Sequence, residues 1–238
     1  LWFSHLDEAD KVAVKPHASP VYHAIQYLIG GLDQSYLTKL RQFGGLQAYP
    51  SRTKDPDRPD YSTGSVGLGA VAPLFSAAVR RYVSSHFGEQ DKARFFALVG
   101  DAELDEGNVW EAVCDPVTKG LGEFTMVVDL NRQSLDRVVP DIAASRLQGF
   151  FQDAGWHVAE AKYGSNLTSA FLLPGGEALR DHIDSMANEA YQSLFAREGL
   201  ELREEFLRNA DSSVKALADD FDDFSLKELV TDLGGHDL

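Results

Sequence analysis

The chain has 238 residues, of which 44% are hydrophobic and 25% charged, a composition typical of a folded globular protein with one large domain or two small ones. Its formal net charge of -15 argues against binding a nucleic acid through bulk electrostatics, and no apolar run approaches the length of a membrane span. The single cysteine, Cys114, excludes a disulfide within the chain, and the acidic N-terminal segment does not favour a secretion signal, so we expect a cytoplasmic protein.

The first part of the chain predicts helices on either side of a long loop. Residues 19–32 have a serine cap, apolar residues at helical spacing and a terminal glycine pair, which together predict a helix. Residues 35–43 predict a second, short helix. Residues 44–64 are rich in proline, glycine and polar side chains and predict a long loop of the kind that often carries function. A long helix with a glycine-rich start is predicted over residues 65–87.

The middle of the chain alternates between apolar strands and helices. Residues 94–100, "RFFALVG", and residues 124–131, "FTMVVDLN", predict buried strands, with a helix over residues 108–120 between them. A helix over residues 146–155 and a third strand over residues 156–164 are predicted to follow. This alternation predicts an α/β fold with a doubly wound parallel sheet, in which ligands bind beyond the carboxyl ends of the strands.

The last part of the chain has a different pattern. From residue 175 onward the sequence is polar and helix-rich, and it shows no clear strand. We therefore expect an α/β domain over residues 1–174 and a helix-rich extension of the same domain over residues 175–238. The acidic run at residues 219–223 indicates a solvated surface.

Two predicted strands end in side chains that suit a metal ion. Asp101 directly follows the first strand, and Asn131 ends the next one about thirty residues later, the length of one strand–helix–strand unit. A carboxylate, an amide oxygen and a backbone carbonyl form the all-oxygen set that Mg²⁺ prefers, and Mg²⁺ usually completes its shell with phosphate oxygens. The pattern therefore predicts a cation that holds a phosphate group at this edge of the sheet.

These same residues carry a family resemblance. "GDAELDEG" followed by "DLNRQSLD" resembles the thiamine diphosphate motif of transketolases and 2-oxo acid dehydrogenases, whose usual form is Gly-Asp-Gly and a later Asn. "KPHASPVYHAIQYL", "GGLQAYPSRTKDPD" and "STGSVGLGA" resemble further segments of that family in the same order. "NEAYQSLFAREGLELREEFL" and "GGHD" resemble an insertion typical of its pyruvate enzymes. The resemblance covers nearly the whole chain and is nearest to the homodimeric pyruvate dehydrogenase component that carries thiamine diphosphate.

The resemblance implies a set of site residues. Asp101 and Asn131 would bind Mg²⁺ through their side chains, and Gln133 through its backbone carbonyl. His17 would lie near the thiazolium ring or the substrate and act as a catalytic residue. The cofactor-binding residues that the resemblance implies are Ser65, Val66, Gly67, Leu68, Gly100, Asp101, Ala102, Glu103 and Asn131.

The resemblance also implies an activity and partners. It implies thiamine diphosphate- and Mg²⁺-dependent decarboxylation of a 2-oxo acid, with pyruvate as the first candidate, and acyl transfer to a lipoyl-bearing acyltransferase. The cofactor site of the family lies between two chains, which implies a homodimer or a pairing with a pyrimidine-domain subunit. The family's pyrimidine-binding domain is not in these residues, so we expect a chain that is inactive alone. Two alternatives stay open: ketol transfer between sugar phosphates, as in transketolases, and a non-catalytic binding module of the same fold. Ala102, which replaces the second glycine of the motif, favours the last alternative slightly.

Overall fold

The computed structural model describes residues 1–130, 133–134, 137–138 and 144–235. By its contacts the chain divides into two compact units. The first comprises Leu1–Leu135 with Asp153–Gly155, and the second comprises Asp136–Gln152 with Trp156–Leu238. The predicted boundary after residue 174 stays a prediction.

The described chain contains short strands and mostly short helices. The strands are β1 (Lys11–Ala13), β2 (Phe95–Gly100), β3 (Phe124–Asp129), β4 (Gln133–Ser134) and β5 (Arg137–Val138). The α-helices are α1 (Ser19–Leu28), α2 (Leu68–Phe87), α3 (Gly107–Cys114), α4 (Ala144–Asp153), α5 (Ser165–Ala170), α6 (Gly176–Ser185), α7 (Asn188–Leu194), α8 (Gly199–Phe206), α9 (Ser212–Ala218) and α10 (Asp223–Val230). Short 3-10 helices occupy Pro16–Ala18, Gln34–Tyr36, Asp101–Asp105 and Pro116–Thr118. Of the helices described, none combines the length and the apolar character that crossing a bilayer requires.

The first unit is built on a parallel sheet in the order β1-β2-β3. β2 lies in the middle, and its apolar run buries Phe95, Ala97 and Val99 on one face. Helix α2 packs against all three strands and against α3. The predicted α/β fold class with a parallel sheet is confirmed.

The edge strand β1 is a part of the sheet that the sequence pattern does not predict, because three residues are too few to show an alternation. Its register pairs Lys11 with Phe95, so it runs beside the first half of β2. On the outer edge of β1, the N–H of Val12 donates to Oδ2 of Asp60 at 3.0 Å. A side chain from the long loop thus satisfies a backbone group that an open sheet edge would leave unpaired.

Two predicted helices differ from the structure. The helix predicted over residues 35–43 is wrong: only Gln34–Tyr36 form a 3-10 turn, and Arg41 has a left-handed φ of 63° that an α-helix does not admit. The N–H of Arg41 donates instead to the carbonyl of Leu46. The helix predicted over residues 108–120 ends at Cys114, since the residue before Pro116 is driven out of helical geometry.

The strand predicted over residues 156–164 is also wrong. Within the described part of this segment only Tyr163 is paired as in a sheet, through an isolated bridge to Leu233. Trp156 packs edge-on against Phe151 of α4, with ring centroids 6.0 Å apart. Trp156 thus contacts a helix, and within the described chain no neighbouring strand pairs with residues 156–162 to form a sheet.

The second unit is a helical assembly with its own core. Leu194, Leu202 and Phe206 are fully buried at its centre, among side chains from α5 to α10. Arg203 of α8 donates to the Asp223 carboxylate at the start of α10, at 2.8 Å. It also donates to the backbone carbonyls of Ala218, at the end of α9, and of Phe221. This arginine joins the ends of three helices, because its guanidinium offers several donors in one plane.

In the first unit, the buried Asp10 joins the start of β1 to the start of β2. Burial by itself would raise the pKa of the Asp10 carboxyl, but hydrogen bonds from the Arg94 guanidinium and from the backbone N–H groups of Asp7 and Arg94 lower it to about 2. A carboxyl whose pKa is lower in the folded chain stabilises the fold above its unfolded pKa and loses that contribution as the pH falls.

We therefore expect Asp10→Asn to lower the free energy of unfolding near neutral pH by about 1 to 2 kcal/mol. Between the unfolded pKa of 3.8 and the folded pKa of about 2, this difference should disappear as Asp10 is protonated. Urea unfolding of both proteins across this pH range measures it. Asp91→Asn, at an exposed position before β2, is the control. A difference that stayed constant down to the lowest pH would contradict the assignment.

Candidate functional site

The carboxyl ends of β1, β2 and β3 lie along one edge of the sheet. Lys15 and His17 follow β1, Asp101 follows β2, and Asp129 ends β3. The register places Gly100 directly beside Asp129. Side chains that are far apart in the sequence thus share one edge, where ligands bind in parallel α/β sheets.

The predicted glycine turn lies against the 3-10 helix that follows β2. The N–H of Gly67 donates to Oε1 of Glu103 at 3.4 Å. Gly67 has a left-handed φ of 83°, and a Cβ there would come within 2.7 Å of the amide oxygen of Asn108, so glycine is required at this position. The structure therefore brings together two sets of predicted cofactor-binding residues. Of the turn residues, Ser65, Val66 and Leu68 are exposed and Gly67 is buried.

Asp101 begins the 3-10 helix and is almost completely buried, with 6% of its surface exposed. Its Oδ1 accepts a hydrogen bond from the N–H of Ala102 at 3.0 Å. Ala102 lies within the same 3-10 helix and does not have a positive φ. The alanine that replaces the second glycine of the motif is therefore accommodated without backbone strain.

The predicted metal ligands are placed in part. Gln133 lies in β4, which runs beside the 3-10 helix Asp101–Asp105, while Asn131 lies outside the described residues. In the ranges that the structure describes, no three His, Cys, Asp or Glu side chains converge on a common metal position. The predicted set has a single carboxylate, that of Asp101, with an amide and a backbone oxygen, and it stays a prediction.

Unpartnered polar atoms beside the turn fit a polar ligand. The side-chain oxygens of Thr63 and Asn108 are buried, and within the described chain neither has a hydrogen-bond partner. Asn108 lies against Gly67, and Thr63 lies against Gly69 in the first turn of α2. Buried polar atoms in native proteins are normally satisfied. The buried Asp101 carboxylate fits a hard cation, and the Thr63 hydroxyl can donate to a phosphate oxygen, whereas the Asn108 oxygen can only accept.

The predicted catalytic residue His17 lies on the same edge. It is exposed in the 3-10 helix Pro16–Ala18, and its ring centroid lies 5.9 Å from that of Tyr49. Close by, the hydroxyl of Ser19 donates to the carbonyl of Ala48 at 2.9 Å. The histidine-bearing turn and the "GGLQAYP" loop, two segments of the predicted family motif, are therefore in contact.

Glu103 has a structural role in addition to its predicted role in cofactor binding. Its Oε2 accepts from the N–H of Gly100 at 3.0 Å, and its Oε1 accepts the longer bond from Gly67. The first of these is one half of a capping box, since Gly100 has no side chain to complete the other half. One buried carboxylate thus joins the glycine turn to the end of β2.

We expect Glu103→Ala to lower the free energy of unfolding by about 1 to 2 kcal/mol, because it leaves two N–H groups without an acceptor. Glu103→Gln keeps one acceptor oxygen and should lose less. Guanidinium unfolding followed by circular dichroism measures both, with Glu111→Ala at an exposed position of α3 as the control. Equal stability of the Glu103→Ala and Glu111→Ala proteins would show that the bridge contributes nothing.

Two side-chain pairs of the first unit are absent from the sequence prediction. Lys15 Nζ lies 2.5 Å from Oδ2 of Asp129, and His23 Nδ1 lies 2.6 Å from Oδ2 of Asp57. The available signals were a lysine directly after an apolar segment and an apolar helix that contains a histidine. Neither signal identifies the carboxylate with which the side chain pairs, because each pair joins distant parts of the sequence.

Comparisons with known proteins agree with this geometry. Residues 6–171 match the family model for "Transketolase, thiamine diphosphate binding domain". The chain is 30% identical over 243 residues to the pyruvate dehydrogenase E1 component of Mycolicibacterium smegmatis, and 29% identical over 238 residues to that of Escherichia coli. These alignments cover 98% and 97% of this chain but only 26% of each relative, so the chain spans about a quarter of their length.

A solved structure supports the fold. A transketolase mutant from Pichia stipitis is similar with a TM-score of 0.57 and 22% sequence identity, over 65% of this chain and 24% of that one. The residues matched by the family model include the strands β1 to β3 and every site residue described above. The chain belongs to the transketolase family of thiamine diphosphate-binding domains.

Proposed function

We propose that the protein is a thiamine diphosphate- and Mg²⁺-dependent enzyme that decarboxylates a 2-oxo acid, with pyruvate as the first candidate. It transfers the acyl unit to a lipoyl group on an acyltransferase partner. This chain supplies the half of the site that holds the diphosphate and Mg²⁺. In the family that the sequence resembles, the cofactor site lies between two chains, so the partner in this proposal is a second copy of the protein or a pyrimidine-domain subunit. The assembly works in the cytoplasm, for which the single cysteine is the support.

The extent of the sequence similarity carries this proposal. The transketolase family model ends at residue 171, whereas the two relatives named pyruvate dehydrogenase E1 component align over 97% and 98% of the chain. These alignments therefore include most of the helical unit, with its buried core around Leu202 and Phe206. That similarity beyond the shared domain supports a 2-oxo acid as substrate over a sugar phosphate.

Each side chain has a defined task in this proposal. Bound thiamine diphosphate would supply the electron sink for the decarboxylation. The Asp101 carboxylate and the Gln133 backbone carbonyl would hold Mg²⁺, with Asn131 as the third predicted ligand. Glu103 would keep the glycine turn beside the end of β2. The exposed His17 would stabilise negative charge or move protons at the substrate oxygen.

A substrate panel tests the proposal. The protein is combined with its pyrimidine-binding half, thiamine diphosphate and Mg²⁺, and offered a series of 2-oxo acids and ketose phosphates. We expect release of carbon dioxide from a 2-oxo acid and acylation of a lipoyl acceptor. Ketol transfer between sugar phosphates without decarboxylation would show instead that the enzyme acts as transketolases do. Absence of calorimetric binding of thiamine diphosphate with Mg²⁺ would indicate a non-catalytic module instead.

A further inference from the structure

Lys15 crosses the edge of the sheet where the cofactor site is proposed. It lies two residues beyond β1, and its ammonium reaches Asp129 at the end of β3. β2 lies between these two strands, and a Cβ built on Gly100 at its end would be 4.0 Å from Cδ of Lys15. The side chain therefore passes over the residue that directly precedes Asp101.

The charges at this edge are mainly negative. Asp101 and Glu103 are buried carboxylates, and Asp129 adds a third that is 57% exposed. An anionic diphosphate would meet repulsion here unless cations offset these carboxylates. Mg²⁺ supplies one such cation in the proposed function, and the structure already places the Lys15 ammonium at the same edge.

The bond that now holds the ammonium is easily exchanged. The Lys15 and Asp129 side chains are 25% and 57% exposed, and ion pairs so open to water contribute little to stability. A diphosphate oxygen is also an anionic acceptor, and the diphosphate group as a whole carries more negative charge than a carboxylate. Lysine binds phosphate well as a point charge. Transfer of the ammonium from Asp129 to a diphosphate would therefore be favourable.

We propose that Lys15 is a diphosphate-binding residue of this site and that Asp129 is its counter-ion while no diphosphate is bound. This inference rests on the proposed cofactor and adds a residue that the family resemblance does not supply. The inference predicts that substitutions of Lys15 and of Asp129 have opposite effects on the affinity for diphosphate. Removal of Lys15 weakens diphosphate binding, and removal of the Asp129 charge strengthens it, because the ammonium no longer has a competing partner.

Calorimetric titration of the full chain tests the two effects. Mg²⁺ with thiamine diphosphate and Mg²⁺ with inorganic pyrophosphate are the two ligands. Lys15→Gln should weaken both about 10-fold, the effect of one charge-assisted hydrogen bond, while Lys15→Arg should keep most of the affinity. Asp129→Asn should tighten both several-fold. Lys11→Gln, at a partly exposed lysine of β1 that pairs with Asp60, is the control and should bind like the parent.

The outcomes separate this inference from the function on which it rests. Binding by the parent together with unchanged binding by Lys15→Gln overturns the inference and leaves the function standing. Weaker binding by Asp129→Asn also overturns it, because Asp129 would then act as a metal ligand. A parent chain that binds neither ligand overturns the proposed function and this inference together. Circular dichroism of each variant confirms that the fold is intact, and Asp129→Asn decides the case if Lys15→Gln is unfolded, since only tighter binding supports the inference.

Discussion

Replacing Asp101 with asparagine is expected to weaken Mg²⁺-dependent binding of thiamine diphosphate about 100-fold or more. The change removes the one charged ligand of the predicted set, and loss even of a residue that only supports a metal ligand costs 10- to 100-fold in affinity. Asparagine keeps a carbonyl oxygen to accept the hydrogen bond from Ala102, so the 3-10 helix should stay folded. Calorimetric titration with cofactor and Mg²⁺ measures the loss.

Asp105→Asn is the matched control for this experiment. Asp105 ends the same 3-10 helix and is exposed, so its replacement removes the same charge without touching the buried position. It should bind the cofactor within about twofold of the parent, since exposed charges are largely screened by solvent and salt. Unchanged affinity in Asp101→Asn, with the thermal unfolding of both variants like that of the parent, would show that the cation is held elsewhere.

Replacing Asp57 with alanine is expected to lower the free energy of unfolding by about 3 kcal/mol, the cost of breaking a buried ionisable pair. His23 of α1 is 2% exposed and the Asp57 side chain is fully buried, so their 2.6 Å contact excludes water. The other polar atoms of the two side chains, His23 Nε2 and Asp57 Oδ1, are buried without a partner in the described chain. The variant therefore leaves an imidazole buried with nothing to bond to, and urea unfolding measures the loss.

A double variant shows whether the pair itself is responsible. His23→Leu combined with Asp57→Ala should be destabilised by less than the sum of the two single variants, because no polar group is then left unpaired. Lys54→Ala, at an exposed position of the same loop, should leave the stability unchanged. Losses that simply add would mean that the two side chains act independently, and that the loop is held to α1 by other contacts.

The strands and helices that could be predicted are those with a strong local pattern. "FFALVG" and "FTMVVD" are apolar runs of strand length, and both form strands of the sheet. The long helix α2 follows the glycine turn at Gly67. Predictions failed where distant contacts decide: β1 is a strand because β2 lies beside it, and the polar–apolar alternation of residues 156–164 lacks a strand neighbour.

The site could be predicted to the level of motifs. Asp101 was predicted from its place directly after a strand, and Gly100 and the glycine turn from the family resemblance. The structure brings them together at the end of β2. The bridge made by Glu103 was not predicted, because a glutamate in a motif does not show which backbone groups it contacts. The role of Asn131 stays a prediction, since it lies outside the described residues.

By itself, the sequence determined the α/β class and the glycine and aspartate at the end of β2, because apolar periodicity and a glycine at a strand end are local properties of the chain. Only the tertiary structure decided the partners of Lys15, Glu103 and His23. Their contacts join residues 114, 36 and 34 positions apart. Residues so far apart in the sequence come into contact only when whole strands and helices pack together. This packing therefore determines which charged side chains lie side by side.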